Sequence, residues 1–139
     1  MIEALLIALA ASPQSCDALN GKAHFRCQLD QSIASVPEAD CKERMTQFDM
    51  NVCSYRDGLR REIELNESWD QVKVRWGESE LFATILAAQR SWLTYRDKQC
   101  AIWAEKYEGG TIVPLMVNSC KDALTKARIA ELNKLLQER

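Results

Sequence analysis

The sequence predicts an all-α fold: a small helical bundle of about three long helices plus a short N-terminal helical segment, stapled by disulfides. Three observations predict it. Apolar residues recur at helical spacing over two long stretches, from Phe48 to Trp76 and from Phe82 to Tyr107. No segment alternates apolar and polar residues over the length of a useful strand. Six cysteines, at positions 16, 27, 41, 53, 100 and 120 of 139, suit a crosslinked domain in an oxidising compartment.

Taken in order, the chain divides into residues 1–15, a signal-like apolar segment; 16–40, a helical or loop extension; and 41–139, the main helical domain. The run Ala4 to Ala11 is too short to span a bilayer but has the length of a secretory apolar region, and Ala8-Leu9-Ala10 offers a small-x-small cleavage site. Glu3 stands where a signal places Lys or Arg, so a buried helical turn is the competing reading. Between Cys16 and Asp40 the pattern is polar and weakly periodic, with Pro37 closing a short helix or two. Thr46-Gln47-Phe48-Asp49 then reads as a capping box, the Thr hydroxyl and Asp carboxylate serving backbone N–H groups reciprocally.

The first long helix follows, with Phe48, Val52, Tyr55, Leu59 and Ile63 on one track and Leu65, Trp69, Val72 and Trp76 on a second, until Gly77 ends it. Ser79 opens the next helix, whose inward face includes Phe82, Ile85, Gln89, Trp92, Arg96 and Cys100. Glu108-Gly109-Gly110 breaks it, and Pro114 lies in an extended crossing or at the start of the last helix. That helix runs to Leu136 with Val117, Cys120, Leu124, Ala127, Leu132 and Leu135 on one side. Sequential pairing of the cysteines, 16 with 27, 41 with 53 and 100 with 120, is preferred among connectivities that the sequence leaves open. Each bond would close a short loop, a crosslink of about 3 kcal/mol in the chain-entropy picture.

Composition narrows the function. A net charge of -2 supplies no basic stripe for nucleic acid. No C-x-x-C pair occurs and His24 is the single histidine, so neither a metal site nor a cofactor is expected. No nucleophile has an evident base partner, and a carboxylate pair is not singled out, so the chain is expected to bind rather than to catalyse.

Three motifs carry a resemblance. They are Thr46-Gln47-x-x-Met50-Asn51-x-Cys53; Ala88-Gln89-Arg90-x-Trp92-x-x-Tyr95-Arg96-Asp97-x-x-Cys100; and Gly109-Gly110 followed by Ser119-Cys120 and Leu124-Thr125-x-x-Arg128-x-x-x-Leu132. In their order and spacing the chain resembles the LprI-type lysozyme-inhibitor domain of bacterial envelope proteins, over roughly residues 41–136. The resemblance implies an exported helical domain with paired cysteines, periplasmic or secreted, that binds a protein; for the family's named member it implies binding and inhibition of lysozyme. The alternative is an envelope structural or interaction module without effect on lysozyme. Two features depart from the family's pattern: Cys16 and Cys27 are additional, and Tyr55-Arg56-Asp57-Gly58-Leu59-Arg60 replaces a usual Ala-Asp-x-x-Leu-Asn.

Candidate sites follow from chemistry. Trp76 beside Gly77, with Glu78, is a candidate exposed anchor, and Glu108, Gly109 and Gly110 form a loop fit to enter a basic partner's cleft. Gln89 and Arg96 on an apolar face need polar partners, with Asn51 and Asp49 of the neighbouring helix as candidates for an interhelical network.

Overall fold

Three antiparallel-connected helices carry the fold, and a fourth, shorter helix lies across one of them. A computed structural model describes residues 15–139; the apolar run Ala4 to Ala11 lies outside the described residues. A 3-10 turn at Cys16–Ala18 leads into α1 (Gly21–Ser35), followed by α2 (Gln47–Trp76), α3 (Phe82–Lys106) and α4 (Val113–Gln137). No strand occurs among the described residues.

Local chemistry sets the ends. Thr46 caps α2 by accepting from the Asp49 N–H at 3.0 Å. The reciprocal half of the expected box does not form, because the Asp49 carboxylate instead accepts from the Asp40 N–H at 3.2 Å and ties down the preceding loop. At the far end of α2, a Cβ on Gly77 would stand 2.4 Å from the Lys73 carbonyl oxygen, so the turn into α3 accepts only glycine there. Ser79 precedes α3 rather than opening it, its Oγ accepting from the Leu81 N–H at 3.1 Å. Pro114 sits in the first turn of α4, where its missing N–H costs nothing. Gly58 leaves α2 unbroken.

Side-chain pairs fix the directions. Ser68 reaches Asn133 and Trp76 reaches Leu135, while Arg61 reaches Asp122, so α2 and α4 run parallel and side by side. Arg96 meets Thr125 and Arg128 meets Gln89, so α3 returns antiparallel against α4. Arg26 pairs with Glu67 and Ser32 with Arg56, which sets α1 antiparallel on α2. At about 1.5 Å per residue, the 30 residues of α2 span about 45 Å.

The apolar core is Leu65, Val72, Ile85, Ile129 and Leu132, with Trp69, Trp76 and Trp92 packed against it. On α4 the buried face is Thr125, Ile129 and Leu132, while Ala127 of the expected face is exposed. Phe48 and Tyr55, also expected inside, are 52% and 41% exposed. The three disulfides join Cys16 to Cys27, Cys41 to Cys53 and Cys100 to Cys120, the preferred sequential pairs, and no described cysteine is free.

Candidate functional site

The bundle has two ends and one polar seam, and the candidate residues distribute over all three. The turn between α2 and α3 holds Trp76 and Glu78 at one end; the loop between α3 and α4 holds Glu108, Gly109 and Gly110 at the other. The 25 residues of α3 separate them by about 37 Å. They do not form one site.

Trp76 is not an exposed anchor. Its indole Nε1 donates to the Leu135 carbonyl at 3.0 Å, its ring packs on the core, and the Arg75 guanidinium lies 4.7 Å from its centroid. An amphipathic ring near a helix end half-buries its body on the core and uses its N–H on α4, so it serves packing rather than standing free. Glu78 is exposed beside it.

The opposite end carries an exposed glycine turn. Gly109 has φ +78, a left-handed conformation that a side chain strains, and it turns the chain out of α3. Glu108, Gly109 and Gly110 are exposed, and Thr111 is held by Asn51, whose Nδ2 donates to the Thr111 carbonyl at 2.8 Å. Asn51 therefore fixes the base of this loop, with Gln47 donating to its Oδ1, and takes no part with Gln89 or Arg96. Met45 and Phe48 lie at the same end, 80% and 52% exposed. Glu38, Glu43, Glu105 and Glu108 have no ion pair among the described residues.

The polar seam runs between α2, α3 and α4. Arg96, its side chain 9% exposed, donates to the Glu62 carboxylate, to Thr125 Oγ1 at 3.2 Å and to Asp97 at 3.2 Å. Burial pushes the Glu62 carboxyl above its ordinary range, although Arg96 pulls it down. Arg128 donates to Gln89 Oε1 at 2.9 Å. Trp92 lies between the two cations, 5.2 Å from the Arg96 guanidinium and 5.9 Å from that of Arg128. Gln89 and Arg96 thus find partners on α2 and α4, but these are Glu62, Thr125 and Arg128 rather than Asn51 or Asp49.

Two crevices flank the seam and meet at Phe25 and Glu62. One, about 230 Å³, opens among α1, α2 and α4 beside Gly58 and Leu59. The other, about 400 Å³, opens among α1, α2 and α3 beside Trp69, Leu86 and Leu93. Among the described residues no group of His, Cys, Asp and Glu could hold a metal ion, and no helix is long and apolar enough to cross a membrane.

Arg56 is a residue that periodicity misses. It is 5% exposed and donates from Nε to Ser32 Oγ and from Nη2 to the Ser32 and Val36 carbonyls, closing the C-terminal end of α1. Its one signal in the sequence is its place in the stretch that departs from the family's pattern.

The chain is 32% identical over 123 residues to an uncharacterized protein of Rhizobium meliloti (strain 1021), covering 80% of this chain and 88% of that relative. No solved structure matches. The family described as "Lysozyme inhibitor LprI", an inhibitor family rather than a catalytic one, matches residues 37–132, the segment that holds α2, α3 and most of α4, and the chain belongs to it.

Proposed function

We propose that this chain is an exported bacterial-envelope protein, periplasmic or secreted, that binds and inhibits a lysozyme-type muramidase through the end of the bundle carrying the α3–α4 loop. One observation carries the reading: that end combines exposed Met45 and Phe48 with the unpaired carboxylates of Glu105 and Glu108 around the Gly109 turn. Apolar anchors ringed by charge are the makings of an interface, and the sign of the charge suits a basic partner. A lysozyme is basic and works through a cleft lined by carboxylates, which a narrow glycine loop can enter. The three disulfides fit an extracellular or envelope setting.

The test is muramidase turbidity kinetics with the oxidised protein titrated in. Dose-dependent inhibition is expected. The double variant Glu105→Lys/Glu108→Lys should lose it about tenfold or more, as reversal of two interfacial charges predicts. Glu78→Lys/Glu80→Lys, at the opposite end, should inhibit as the parent does. Unchanged lysozyme activity at micromolar excess would retire the reading.

A further inference from the structure

The crevice among α1, α2 and α3 has a lining unlike that of a seam left by imperfect packing. Phe25, Leu65, Trp69, Leu86 and Leu93 supply apolar walls around about 400 Å³, within the size of small-molecule sites. The α3 wall also carries donors. Arg90 is exposed at the rim, and its guanidinium has no partner among the described residues. Gln89 is 5% exposed, and because its Oε1 accepts from Arg128, the group left over is its NH₂. The lining carboxylate, Glu62, is already occupied by Arg96. Unused donors beside an apolar trough ask for an acceptor that carries an apolar body.

We propose that this crevice binds a small amphipathic carboxylate, its apolar body between Phe25, Trp69 and Leu93 and its head on Arg90 and Gln89. Burial of the Glu62 carboxyl works in the same direction, since a carboxyl drawn toward its neutral form repels an anion less. Phe25 closes the trough from α1, which precedes the family's matched segment at residue 37. The outer wall of the site thus lies outside the family's matched segment, and the Cys16–Cys27 bond anchors the helix that supplies it.

Isothermal titration of the oxidised chain with decanoate, decanol and decyltrimethylammonium tests this, with all three kept below micelle formation. Decanoate should bind about tenfold tighter than decanol, the gain expected of one charge-assisted contact, and the cation should bind weakest. Arg90→Ala should bring decanoate down to the level of decanol, and Arg90→Lys should restore part of the preference. Arg90 is exposed, so the fold is retained, which far-ultraviolet circular dichroism verifies. Phe25→Ala should weaken decanoate and decanol alike. Equal affinity for decanoate and decanol, an Arg90→Ala variant that binds decanoate as the parent does, or no binding heat at millimolar decanoate would each overturn the proposal.

Discussion

The two halves of the bundle are held together by different physics. Toward the α2–α3 turn the interior is aliphatic: Leu65, Val72, Ile85, Ile129 and Leu132 pack together, with Trp69 and Trp76 closing the sides. Toward the α3–α4 loop Leu59 is buried among Cys53, Ser54, Arg56, Arg96, Cys100 and Thr125, most of them polar or disulfide-bonded, and two of the three disulfides lie there. Apolar burial is non-directional and tolerates small shifts, whereas buried charges and hydroxyls demand fixed partners. The half that presents the loop has traded a dry core for covalent and polar cross-links. Position is thereby fixed where a partner is proposed to dock, with Leu59 as the large apolar side chain buried in that half.

This contrast can be broken from either side. The largest effect is expected in the aliphatic half: Leu132→Ala removes a side chain with 0% exposure and should cost about 4 kcal/mol in urea unfolding, within the usual range for a buried leucine. In the other half, Cys100→Ala/Cys120→Ala opens a crosslink of sequence separation 20 and should cost about 3 kcal/mol. The two halves differ more sharply under reductant. Dithiothreitol should lower the melting temperature of the parent yet leave the penalty of Leu132→Ala unchanged, as distant sites add. A penalty that vanished on reduction would mean that the aliphatic core does not stand without the bonds.

The smallest effect is one of slope. Burial raises the Glu62 carboxyl above its ordinary value of 4.5, so the folded chain holds that proton more tightly than the unfolded chain. The stability contributed is fully present below 4.5 and is lost as pH rises through the folded-state value. Between neutral pH and about 4.5 the parent should therefore gain stability relative to Glu62→Gln. Parallel pH profiles for the two proteins would contradict it.

The same contrast decides what was legible in the sequence. Helical spacing marks the aliphatic half well: Val72, Ile85 and Leu132 fall on the expected faces and are buried. It fails in the polar half. Thr125 is 1% exposed because Arg96 of another helix takes its hydroxyl, a reason invisible to a count of apolar residues along α4. Ala127, small and apolar, was expected inside and stands in solvent because nothing opposite requires it. Arg56 is buried only because α1 ends above it. The candidate site divides likewise. The glycine loop is visible from its residues, since Gly109 is needed for the turn, whereas Gln89 and Arg96 find Arg128, Glu62 and Thr125 rather than the expected Asn51 and Asp49. Sequence spacing places residues on a face but says nothing of which neighbour that face meets. Trp76 is a candidate anchor by its place at a helix end, an exposed position on average, but α4 running parallel to α2 brings Leu135 over it.

Every disulfide here joins a cysteine to the next one along the chain, at separations of 11, 12 and 20 residues. For a polypeptide that enters an oxidising space N-terminus first, native pairing is then the order of arrival. Each thiol meets its proper mate before the following pair emerges, so an oxidant with no power to choose among partners produces the native set, and a reshuffling catalyst has nothing to correct.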